Sequence, residues 1–139
     1  MLIFKEIPAN QKLSFLKILA IIGHINTMDD KKIGFIKDLY DSFEINICDF
    51  DEITKENEIE LAYKECKNIT SLKFKRVLIR EMFFIAYSDG ELIDEEIKFI
   101  VKVADLMGIS EAITLTIGDW VVRYIELEGE GDALFSKDV

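Results

Sequence analysis

The sequence predicts an all-α protein of about six helices. Three observations carry that prediction. The 139 residues include one proline, Pro8, and only seven glycines, so few positions interrupt a helix. Apolar residues recur at spacings of three and four, the period of a helix with one buried face. Two stretches are apolar almost all round, as a helix must be when neighbours surround it.

The first of these is a helix from about Gln11 to Ile25, with Asn10 as its expected cap. Only Lys12, Ser14 and Lys17 interrupt its apolar run through Leu13–Ile22. A turn at Asn26–Asp30 follows. Either Thr27 with Asp30, as a loose capping box, or Asp29 alone can start the second helix, which runs to about Phe43. Its residues Ile33, Ile36, Tyr40 and Phe43 keep to one face, joined by Leu39. The connection Glu44–Ile53 holds Asn46, Asp49 and Asp51. A third helix is expected from Thr54 to Lys67, where Ile59, Ala62, Tyr63 and Cys66 make a narrow stripe suited to the outside of the domain.

Ser71 is the expected cap of the fourth helix, Leu72 to Tyr87, the second stretch that is apolar all round. The fifth helix, about Asp94 to Met107, sets a polar stripe of Glu95, Lys98, Lys102 and Asp105 against an apolar side, and Gly108 stops it. Ser110 caps a sixth helix to about Glu126, with Ile113, Ile117, Trp120, Val121 and Tyr124 expected to face inward. From about residue 127 acids alternate with glycine, which predicts a solvated, mobile tail on an otherwise single domain spanning 1–139.

Displacing the chain by 64 residues aligns its halves without a gap. Ile21 falls on Ile85, Asp30 on Asp94, Ile33 on Ile97 and Ile36 on Ile100. The apolar first helix meets the apolar fourth, and the second meets the fifth. Two helical hairpins, near 13–43 and 77–107, are therefore expected to pack about a pseudo-two-fold axis with Ile21 and Ile85 buried. Lys17 and Glu81 fall on equivalent places with opposite charge, and each is expected near the other's helix.

The formal net charge of −10 argues against nucleic acid, whose phosphates would be repelled. It suits solubility, cations or basic partners. The N-terminus has no basic region followed by a long apolar one, and the longest apolar runs are too short for a bilayer, so a cytoplasmic protein is expected. Cys48 and Cys66 match no metal spacing and read as ordinary thiols, and the lone His24 reads as structural.

Polar groups converge with a definite geometry in one place, the turn Ser88–Glu96 between the fourth and fifth helices. Asp89 can accept amide hydrogens from Glu91 or Leu92, Gly90 supplies a backbone angle other residues resist, and Leu92 can plug the core. Glu96 can reach back to loop amides, and its charge suits a helix N-terminus. Carboxylates that accept amide hydrogens are expected to have depressed pKa values, so acid should weaken the fold. The same crowding makes Asp89, Glu91, Asp94 and Glu96 candidate ligands for a divalent cation, since hard cations take oxygen donors. The EF-hand order of acids is absent. Nothing supplies a cleft, a nucleophile with a base, or a phosphate loop, so no enzymatic activity is expected.

Ala86-Tyr-Ser-Asp89-Gly90-Glu91-Leu92, followed by Glu96 and then Met107-Gly108-Ile109-Ser110, resembles the tellurite-resistance TerB-like family. That family includes the N-terminal helical region of membrane-bound J-domain co-chaperones. The resemblance implies an all-α fold of this helix order with rough two-fold character. It further implies a non-enzymatic role in stress response or membrane-associated complexes through a protein partner, with an acidic metal-binding surface. By position it points to Asp89, Gly90 and Glu96. Two departures stand out. Ile93 occupies the family's polar cap position, which leaves Asp94 to cap the fifth helix or shifts the turn by one residue. In the first half, Asn26 replaces the glycine and Lys32 stands at the glutamate position. An interaction module is the function expected, with a dedicated divalent-cation-binding protein as the alternative.

Overall fold

A computed structural model describes residues 6–45 and 49–136. Asn46 and Cys48, named above in the connection and as a thiol, lie outside the described residues, as do residues 1–5 of the lead-in. The described residues form seven α-helices and no strand. They are α1 (Ala9–Ile25), α2 (Asp30–Phe43), α3 (Phe50–Thr54), α4 (Ile59–Glu65), α5 (Leu72–Ala86), α6 (Asp94–Leu106) and α7 (Glu111–Phe135). A 3-10 turn, Cys66–Asn68, follows α4.

The two stretches that are apolar all round are the middle of the fold. α1 packs against α2, α3, α4, α5 and α6, while α5 packs against α1, α6 and α7. Ile21 and Ile85 are both fully buried, as expected of central helices. α7 lies against α5 and α6. The core runs through all of these elements as one cluster, from Ile7 to Val121. Lys17 pairs with Glu65 at 3.6 Å, and Glu81 with its neighbour Arg80 at 2.7 Å.

Several helix ends depart from the sequence expectation. α1 starts at Ala9 with Pro8 in the cap position and no side-chain cap, so Asn10 does not cap it. Proline suits this place because the amide it lacks has no partner at a helix start. Of the two candidates for α2, Asp29 caps, accepting from Lys32 N–H at 2.9 Å. Ser71 sits at the cap position of α5 without a side-chain bond.

The expected third helix, Thr54 to Lys67, starts later, at Ile59, as α4 and the 3-10 turn, while the expected connection Glu44–Ile53 holds most of a short helix of its own, α3. Lys55–Glu58 has no apolar residue to hold a turn against the core, and the chain restarts at Ile59. Glu65 then draws the segment onto α1: its carboxylate accepts from Ser14 Oγ at 2.5 Å and from Asn68 Nδ2 at 3.1 Å. His24 Nε2 lies 2.6 Å from the Thr54 carbonyl. A carbonyl only accepts, so that nitrogen carries the proton, and His24 joins the end of α1 to the end of α3.

α7 departs furthest. It continues as helix through the acidic, glycine-containing segment to Phe135, where sequence composition suggested a tail from about 127. Its buried residues are Thr114, Gly118 and Val121. Ile113, Trp120 and Tyr124, expected inside, are exposed, with Trp120 at 45% and Tyr124 at 44%. Gly118 explains the rotation. With no side chain there, α7 lies directly on the Phe83 ring of α5, and the close approach turns its bulky residues outward.

Candidate functional site

The turn between α5 and α6 is built as a locked connection. Tyr87 N–H donates to Phe83 O and Gly90 N–H to Tyr87 O, closing the end of α5. Gly90 has φ +83°, the left-handed region that disfavours a side chain. Asp89 Oδ1 accepts from Glu91 N–H at 3.1 Å, the first of the two alternatives expected of it. Leu92 packs on the core as a partly buried residue.

Ile93 occupies the cap position of α6, and Asp94 is the first helical residue, so Asp94 does not cap. Isoleucine has no acceptor, so the helix start is served from the other side. Glu96 Oε1 accepts from Ile93 N–H at 3.1 Å, the carboxylate half of a capping box. The Glu96 side chain is fully buried, and its second oxygen, Oε2, has no hydrogen-bond partner in the fold.

That burial overturns the expected acid response at this residue. Burial pushes the Glu96 carboxyl above the ordinary glutamate range, and the charges of Asp89 and Glu91 push the same way. The Ile93 amide and the ammonium of Lys32 oppose the shift without cancelling it. Glu81 behaves alike: burial raises its carboxyl despite the Arg80 guanidinium beside it. A bond from one amide is weaker than the loss of hydration around a buried charge.

Lys32 is the feature sequence reasoning noted without following. It stands at the position equivalent to Glu96 and is equally buried. Its Nζ donates to Thr27 O at 2.8 Å and to Gly23 O at 3.4 Å, holding the α1–α2 turn by its carbonyls. It is close enough to Glu96 to act on its charge, though no ion pair joins them.

The four candidate cation ligands do not come together as a cage. Asp89, Glu91 and Asp94 are exposed while Glu96 is buried. Among the described residues no group of three acids, histidines or cysteines has metal-ligand geometry. One oxygen of Asp89 and one of Glu96 are already held by backbone amides, and Lys32 adds a positive charge where a cation would add another. The side chains as placed do not fit a divalent ion.

A second feature went unrecognised in the sequence. Four rings run across three helices: Phe35 of α2 stacks on Phe84 of α5 at 6.2 Å, Phe84 meets Tyr124 of α7 edge-on at 5.7 Å, and Tyr124 stacks on Trp120 at 5.4 Å. The row leads to a groove between α5 and α7, about 390 Å³ in volume, lined by Arg76, Val77, Arg80, Thr116, Ile117 and Trp120. Its signal was the i, i+4 spacing of Trp120 and Tyr124, which reads equally as core. Among the described residues no helix is long and apolar enough to cross a membrane.

A family model described as tellurite resistance protein TerB matches residues 49–115. No curated protein and no solved structure matches the chain. The matched segment runs from the start of α3 into α7 and contains the whole locked turn. It omits α1, the helix with the most neighbours in the core. With its all-helical architecture and this match, the chain resembles the TerB-like family over residues 49–115.

Proposed function

We propose that this TerB-like protein is a non-enzymatic, cytoplasmic interaction module linked to tellurite resistance or the stress response, acting through a protein partner that includes membrane-associated complexes in its range. The observation that carries the reading is the exposed aromatic and apolar face of α7, with Trp120 and Tyr124 stacked on one another and nearly half exposed. Exposed apolar surface of this kind, bordered by polar residues, marks interaction sites, and tryptophan, tyrosine and arginine dominate binding energy where they anchor an interface. Recovery of partners from extracts of the native host by tagged wild-type protein, against Trp120→Ala and Tyr124→Ala, tests it. A defined partner should be enriched by wild type and lost with the variants. Equal recovery by all three defeats the reading.

A dedicated divalent-cation-binding protein is the second reading. Its supporting observation is the unpartnered, buried Oε2 of Glu96 within electrostatic reach of Asp89 and Glu91. Lys32 weighs against it.

A further inference from the structure

The geometry points to a second copy of this chain as an occupant of the α7 face, in an antiparallel α7–α7 dimer. This inference rests on the interaction-module reading and names a partner for it. Residues Ile117, Trp120, Tyr124, Leu127, Gly131 and Leu134 follow one another at spacings of three and four in strict alternation. That is the seam of a helix that packs along another helix. In this fold Ile117, at the start of the seam, packs against the core, and from Trp120 onward the seam is exposed apart from Gly131. Leu127 is 67% exposed and Leu134 72%. Beyond Glu126, every residue of α7 except Gly131 is exposed, so the last nine residues, 127–135, project past the body. At 1.5 Å per residue the projection is about 13 Å long.

An antiparallel register suits these side chains. Setting Tyr124 against Leu127 of the second copy also sets Trp120 against Gly131 and Ile117 against Leu134. The largest seam residue then meets the smallest, and a Cβ at Gly131 has open space around it. A two-fold axis makes every such contact twice. A parallel register would instead stack Trp120 on Trp120 and leave each projection without a body to rest on.

Charge complementarity favours the same partner. The chain has three arginines, Arg76, Arg80 and Arg123, all on α5 and α7. Two line the groove beside Ile117 and Trp120. The projecting end of α7 carries Glu128, Glu130 and Asp132. In the antiparallel register this acidic end lies over the other copy's groove. Arg123 and Glu130, each on the flank of the seam that precedes Tyr124 and Gly131, come opposite one another. Arg80 is held by Glu81, and Arg123 pairs with Asp119 of its own helix at 3.1 Å; that second pair is exposed, so Arg123 can exchange Asp119 for Glu130 of the second copy, and Arg76 adds its charge.

Sedimentation equilibrium of the full chain from about 1 to 100 μM tests the dimer. Wild type should be dimeric in this range. Leu134→Glu, at a site 72% exposed in the monomer, should weaken the dimer at least about tenfold with an unchanged circular-dichroism spectrum. Arg123→Glu should weaken it, and adding Glu130→Arg should restore it. A wild type that stays monomeric at the highest concentration overturns the inference, as does a dimer indifferent to Leu134→Glu or a charge swap that fails to rescue. Those outcomes leave the host-partner experiment standing, because that experiment reads Trp120 and Tyr124 against a different protein.

Discussion

Gly118 is where one methyl group should matter most. A Cβ built there lies 2.6, 2.7 and 3.0 Å from three carbons of the Phe83 ring, whereas carbons pack best at about 3.5–4.0 Å. The missing space is close to 1 Å, and the ring is 1% exposed, with no solvent to swing into. Overpacking of this kind costs about 1–3 kcal/mol. Against it stands the better helix propensity of alanine, about 1 kcal/mol. Gly118→Ala should therefore destabilise the protein by up to about 2 kcal/mol, roughly 3–4 °C in Tm for each kcal/mol in a domain of this size. Gly129 lies in the same helix with nothing within 4 Å of an added Cβ. Gly129→Ala keeps only the propensity gain and should stabilise by about 0.5–1 kcal/mol. Urea unfolding followed by circular dichroism, with a shared m-value, compares the two. The Gly118 variant should also shift Trp120 fluorescence, since α7 must lift from α5. A Gly118→Ala protein stabilised as much as Gly129→Ala would refute the packing account of how α7 is oriented.

The remaining predictions concern the turn and the caps. Glu81 and Glu96 have folded pKa values raised by burial, so the native state binds protons more readily than the unfolded chain. Their stabilising contribution is complete below the unfolded glutamate pKa of about 4.3 and is lost as pH rises through the folded values. Stability should rise as pH falls from neutral toward weak acid, and Glu96→Gln should flatten that rise; an identical slope in wild type and variant speaks against it. Ser110→Ala should cost about 1 kcal/mol, because Ser110 Oγ accepts from Ile113 N–H. Ser71→Ala, at a cap without a side-chain bond, should cost little, and equal losses in thermal melts would contradict the cap geometry. Millimolar calcium, magnesium, manganese or zinc should leave the melting temperature unchanged, since Asp89 and Glu96 are committed to amides; stabilisation abolished by Asp89→Asn would favour the cation reading.

What the sequence disclosed depended on how many physical causes acted at each residue. The central position of α1 and α5 was legible because a helix apolar all round has no other place to go. The turn was legible because Gly90 and Asp89 act locally, within a few residues. At Ile93 the family pattern asks for a polar cap, and local reasoning moved the task to Asp94. The fold instead lets Glu96 serve the helix from within. The raised carboxyl of Glu96 was hidden, because the hydrogen bond can be inferred from spacing while the burial that outweighs it comes from distant helices. The facing of α7 was hidden for a similar reason. Trp120, Tyr124 and Ile113 look like a core stripe, and only the contact at Gly118 selects the other face. A periodic apolar pattern identifies a face that wants cover, without saying whether the same domain provides it.

Lys32 and Glu96 bury opposite charges within electrostatic reach of one another, without an ion pair between them. The two turns they hold lie 64 residues apart in sequence and use opposite chemistry, an ammonium offered to carbonyls in one and a carboxylate offered to an amide in the other. The compensating charge is covalently part of the protein and out of water's reach, so salt, which screens exposed charges within about 10 Å at 0.1 M, has little hold on it. Where a protein that borrows its counter-ion from solution would respond to the ionic conditions around it, this one holds the same balance in all of them.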